Sequence, residues 1–127
     1  MNSTLRALLI PTDAAKPCQL VEIPERTAAA CAAAIGCQWI ELVGHPWLDE
    51  RHMVLVVDEE GLLTGAMTNG RATRFYAGTT PIVGDALILG LRMTDDGQDF
   101  ASLHPAQVGQ LAHLGYLASL AAEGVRP

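Results

Sequence analysis

Apolar and polar positions along the chain change between a period of two and a period near 3.6, and the changes mark out the elements. The apolar run Leu5–Ile10 ends at Pro11 and predicts a buried first strand. Residues 19–23 alternate polar and apolar, the mark of a half-exposed strand. Pro24 opens a helix in the first-turn position that suits it, with Glu25 near the positive end of the helix dipole. That helix runs to about Ile35 and stops at Gly36. Its face of Ala28, Cys31, Ala32 and Ile35 is small enough to lie close on a sheet. Residues 38–43 predict a further strand, broken by Gly44-His45-Pro46.

The run Met53-Val54-Leu55-Val56-Val57 is continuous rather than alternating, which predicts a central strand covered on both faces. Asp58-Glu59-Glu60-Gly61 supplies turn chemistry, and Leu62-Leu63-Thr64 is expected to return as its hairpin partner. Residues 68–76 predict a short helix capped by Thr68 or Asn69 and ended by Gly78. The last strong strand contains Ala86-Leu87-Ile88-Leu89 and is entered through Gly84-Asp85. Asp95-Asp96-Gly97 makes a tight turn, with residues 100–103 pairing back as an edge strand. Pro105 opens a C-terminal helix to about residue 122, closed by Gly124. Its stripe of Val108, Leu111, Gly115 and Ala118 faces inward. Leu114, Leu117 and Leu120 widen the apolar surface, which suits a second contact or a homodimer interface. The expected fold is a single α+β domain over residues 1–127. It has a mixed, mostly antiparallel sheet, a helix in the N-terminal half, a short central helix and a C-terminal helix.

Composition narrows the function classes. Of 127 residues, half are apolar and 17% are charged, which excludes a disordered chain. A net charge of −6 argues against nucleic acid, whose phosphates call for a basic surface, and against docking on anionic lipid. The acids gather at Asp49-Glu50, Asp58-Glu59-Glu60 and Asp95-Asp96 with Asp99. These are turn positions, where solvated charge is a simpler reading than a phosphate-mimicking decoy. The run at residues 5–10 is too short for a signal sequence or a membrane span. Three cysteines without a C-x-x-C pair give neither a disulfide framework nor a zinc ribbon. A cytoplasmic location is the expectation.

Sequence motifs assign no catalytic residue, cofactor or metal. The chain has no G-x-S-x-G elbow, no G-x-x-x-x-G-K-[ST] loop and no H-E-x-x-H. Its one lysine, Lys16, lies in a proline-flanked loop. His45 and His52 flank Asp49 and Glu50, a conceivable metal set that is outweighed by ordinary surface histidines. His104 and His113 fall on opposite faces of a helix, and Cys31 and Cys37 read as buried thiols. The stretch Asn69-Gly70-Arg71-Ala72-Thr73-Arg74 is the strongest binding candidate. Amides at a helix start and two arginines there would hold a small anion. Asn69, Arg71, Thr73 and Arg74, with Asp85 at the entrance of the last strong strand, are the candidate ligand residues. The plainer alternative is that Asn69 only caps and the arginines pair with the Asp58-Glu59-Glu60 turn.

Three motifs carry a family resemblance: Val57-Asp58-Glu59-Glu60-Gly61, Asn69-x-x-Ala72-Thr73, and residues 82–90 with Gly84-Asp85-Ala86-Leu87-Ile88-Leu89-Gly90. Together with Trp39-Ile40-Glu41-Leu42-Val43 they resemble a small domain-of-unknown-function family of bacteriophages, plasmids and actinobacterial mobile elements. The resemblance covers about residues 5–103 and leaves the C-terminal helix outside. It implies a small accessory protein that acts on a host protein or on a signalling molecule. The first expectation is therefore a non-enzymatic protein that binds a host protein. The alternative is a binder or sponge for a small anionic ligand such as a nucleotide, and an enzyme comes third.

Overall fold

A computed structural model describes residues 4–75 and 81–116. Six strands form one sheet: β1 (Leu5–Ile10), β2 (Gln19–Ile23), β3 (Ile40–Val43), β4 (Met53–Asp58), β5 (Ala86–Thr94) and β6 (Gly97–Ala101). Four helices pack on it: α1 (Ala28–Ile35), α2 (Pro46–Asp49), α3 (Gly70–Thr73) and α4 (Pro105–His113). The strand order is β2-β1-β5-β4-β3. Every named pairing is antiparallel, as the α+β expectation of a mostly antiparallel sheet allows. β6 returns along the outer half of β5, pairing Ala101 with Gly90, and takes over the edge that β1 leaves there. Leu103 N–H donates to Arg6 O at the junction.

The period of two sorts the side chains onto two faces. Leu8, Ile10, Met53, Leu55, Val57, Ala86 and Ile88 lie on the face covered by α2, α3 and α4. Leu5, Ala7, Val54, Val56, Leu87 and Leu89 lie on the face covered by α1, against Cys31 and Ile35. β4 is accordingly buried along Met53 to Val57, as its continuous apolarity requires.

The helix ends follow local capping chemistry. α1 starts at Ala28 rather than at Pro24, because Thr27 is extended and its hydroxyl accepts from Ala30 N–H. It ends where expected, at Gly36, whose φ of 72° lets Cys37 N–H reach back to Ala32 O. α2 falls where a chain break was expected. Pro46 sits at the first helical position, and His45 caps it by accepting from Trp47 N–H. His104 and Pro105 repeat that arrangement at α4.

Two expectations fail. Residues 62–64 form no strand, because both sides of β4 are already paired, with β3 and β5; the segment is a turn that leaves Leu63 85% exposed. α4 ends at His113, not near residue 122. Gly115 takes a φ of 93°, Tyr116 N–H bonds Leu111 O and Gly115 N–H bonds Ala112 O, closing the helix in a Schellman turn. Leu114 is half-buried and packs against the core. Leu117 and Leu120 lie outside the described residues. No helix among the described residues is long and apolar enough to cross a membrane.

Candidate functional site

Three of the five candidate ligand residues, Asn69, Arg71 and Asp85, converge on one stretch of chain, the end of β1 and the loop that follows it. Asn69 is fully buried and caps α3, its Oδ1 accepting from Ala72 N–H at 3.1 Å. Its Nδ2 donates to Ile10 O and to Gly84 O, each at 2.9 Å, so both amide protons are engaged. Arg71 Nη2 donates to Pro11 O at 2.8 Å and to Asp13 O at 3.1 Å. Asp85 Oδ1 accepts from Thr12 N–H at 2.8 Å and from the Thr12 hydroxyl at 2.9 Å. Thr73 supports Asn69: its hydroxyl donates to Asn69 O and accepts from Ile82 N–H.

These bonds clamp residues 10–13 at successive backbone positions. The loop then closes on itself, with Asp13 Oδ1 accepting from Ala15 N–H and Asp13 O from Lys16 N–H. A surface loop this heavily tied is a rigid wall rather than a loose connection. Asn69, Arg71 and Asp85, three of the expected ligand residues, hold this loop. Asp85 also lines a cavity, an open groove of about 740 Å³ with walls that include Leu9, Thr12, Asp13, Lys16 and Met67.

Arg74 stands apart. Its guanidinium is exposed and lies 5.4 Å from the centre of the Tyr116 ring. The Tyr116 hydroxyl donates to Arg71 O at 2.8 Å, and burial holds its pKa above the ordinary phenol value. The expected alternative, arginines paired with the Asp58-Glu59-Glu60 turn, is not formed among the described residues.

The other candidates serve the fold. His45 and His104 cap helices, and no group of three or more His, Cys, Asp or Glu among the described residues could hold a metal ion. Cys18, Cys31 and Cys37 are free, and burial pushes each thiol above its ordinary pKa, which disfavours the nucleophilic thiolate. The motif residues have structural reasons too. Asp58 Oδ1 accepts from Glu60 N–H, and a Cβ on Gly61 would stand 2.5 Å from a Val83 methyl.

A second surface had no clear signal in the sequence. On the α1 face, Ile40, Leu91 and Phe100 are only partly buried. Leu42 pairs with Val56 on that face and is 50% exposed; Met93, two residues beyond Leu91, is 74% exposed. Ile40, Leu42, Leu91 and Phe100 line a shallow hollow beside the start of α1, with Ala28 at its edge. Asp99 stands at its border, 3.7 Å from Arg26 and 3.4 Å from Arg92. Strand alternation places Ile40, Leu42, Leu91, Met93 and Phe100 on one face, but only the structure shows that Leu42 and Met93 stay exposed there.

Residues 5–115 match the family described as a domain of unknown function, DUF3846. The match includes α4, where the motif resemblance stops near residue 103. No curated protein matches the chain. Among solved structures, the crystal structure of the small RNA methyltransferase HEN1 is similar, at 17% identity and a TM-score of 0.58. The similarity covers 81% of this chain but 15% of that one, and at this identity it shows the fold alone.

Proposed function

The chain belongs to the DUF3846 family, and from that premise we propose that it is a non-enzymatic accessory protein of a bacteriophage or mobile element. In this proposal it acts in the host cytoplasm by binding a host protein. The observation that carries the proposal is the half of the sheet that α1 leaves bare. An eight-residue helix is about 12 Å long, whereas the nine residues of β5 extend about 30 Å. Leu42 and Met93 therefore stand exposed on this face, with Leu91 and Phe100 only partly buried beside them. An apolar patch with polar groups at its border suits a protein partner. The chain's charge of −6 favours one with basic groups around its apolar contact. An RNA-directed role, which the name of the structural neighbour would suggest, runs against the same charge.

A small anionic ligand at the Asn69–Arg74 turn is the second reading. It draws on the exposed Arg74 guanidinium, while Asn69 and Arg71 Nη2 already serve backbone carbonyls. An enzyme ranks third, since the three thiols are held protonated and sequence motifs offer no other activated nucleophile.

Native mass spectrometry of the protein drawn from a bacterial lysate separates the readings. A host protein in fixed stoichiometry, lost in Leu42→Lys/Met93→Lys, is the expected result. A small adduct lost in Arg71→Ala, with no protein partner, would replace this proposal with the second reading.

A further inference from the structure

We infer that the groove beside the clamped loop binds a small molecule that joins a cationic hydrogen-bond donor, an amine or a guanidinium, to an apolar body. This inference is independent of the sheet-face proposal. The groove, at about 740 Å³, falls within the range of about 300–1,000 Å³ usual for small-molecule sites. Its wall is already ordered, because Asn69, Arg71 and Asp85 hold the loop at Ile10, Pro11, Thr12 and Asp13. A ligand there loses little affinity to ordering the protein.

Asp85 sets the chemistry. Both of its hydrogen bonds fall on Oδ1, and Oδ2 has no partner among the described residues. A carboxylate oxygen accepts and cannot donate, so it calls for an N–H or O–H, and a charged donor makes the stronger bond. The charged lining consists of two carboxylates, Asp13 and Asp85, against one ammonium, Lys16, which also favours a cation. Leu9, Pro17 and the 76% exposed Met67 supply apolar contact for the rest of the molecule. The site thus differs from an anion site at the Asn69–Arg74 turn in both place and sign.

Amide NMR of the intact chain, titrated with phenethylammonium and with its neutral counterpart phenethyl alcohol, tests the inference. The amine should shift the Thr12, Asp13, Lys16 and Asp85 amides and bind at least about tenfold tighter than the alcohol. Asp85→Asn should reduce amine binding to the level of the alcohol. The asparagine oxygen can still accept both Thr12 bonds, so the loop stays in place while the second acceptor becomes a donor. Equal binding of the two probes, shifts mapping elsewhere, no shifts at millimolar amine, or full amine binding by Asp85→Asn would each overturn the inference. Should Asp85→Asn fail to fold, Met67→Gln alters an exposed groove side chain. It should weaken both probes alike, and unchanged binding there would also count against the site.

Discussion

One face of the sheet is closed by α2, α3 and α4, whose residues Leu48, Ala72, Val108 and Leu111 are buried against Leu8, Leu55 and Ile88. The other is roofed, among the described residues, by α1, which shelters Val54, Val56, Leu87 and Leu89 but not Leu42 or Met93. The same strands build both faces, and the same alternation supplies apolar side chains to each. The difference teaches that apolar patterning alone does not say which apolar positions stabilise the fold and which remain available to a partner. On this account the closed face carries stability, and the open half of the α1 face carries recognition.

The largest stability effect should come from the closed face. Phe75, packed 4.9 Å from the Tyr116 ring and 6.0 Å from the rings of His45 and Trp47, joins the helices there. Phe75→Ala should cost about 3–5 kcal/mol, read as a lowered urea midpoint. A loss below about 1 kcal/mol would mean that this face is not the principal core.

Asn69→Ala comes next. It leaves Ile10 O and Gly84 O without their side-chain donor inside the protein, and removes the cap of α3. A cost of about 1–3 kcal/mol follows, together with faster amide exchange at Thr12. Unchanged exchange at Thr12 would show that the loop does not depend on the clamp.

The Asn69 result also shows what was legible in the sequence. Its cap was readable, because Asn followed by Gly70 and Arg71 is a local signal. Its bonds to Ile10 and Gly84 span 59 and 15 residues and leave no local trace. The strands were readable for the same reason as the cap: Leu5–Ile10 stops at Pro11, and Met53 to Val57 has no polar break. Pro46 misled because proline ends one element and also begins a helix, and the recurrence of His-Pro at residues 104–105 was the missed clue. Leu62-Leu63-Thr64 misled because apolar residues after a turn imply a strand only if a neighbouring strand is free to pair. Gly115 was counted into an inward stripe, yet its positive φ ends the helix. The open face was hidden because Leu42 and Leu91 show the same alternation as covered residues; only the structure shows that Leu42 stays exposed.

Thiol chemistry should give smaller and graded effects. Cys18 lies on the closed face and Cys31 on the inner side of α1, and burial raises both pKa values. A raised folded-state pKa contributes stability that is complete below the ordinary thiol value and is lost as pH rises through the raised one. The thermal midpoint should therefore decline from about pH 9 upward. At neutral pH, half-buried Cys37 should label first, and the buried Cys18 and Cys31 only later. Cys18 or Cys31 labelling as fast as Cys37 would mean that these two thiols are not held in the core.

The smallest stability effect should fall on the open half, where surface substitutions change stability by about 0.5 kcal/mol or less each. Leu42→Lys/Met93→Lys joins both halves of the account in one variant. Its urea midpoint should be measured beside its retention of the host protein that the proposal expects to co-purify with the parent chain. The account predicts a nearly unchanged midpoint with the partner lost. A partner retained at full stoichiometry by the folded variant would contradict it.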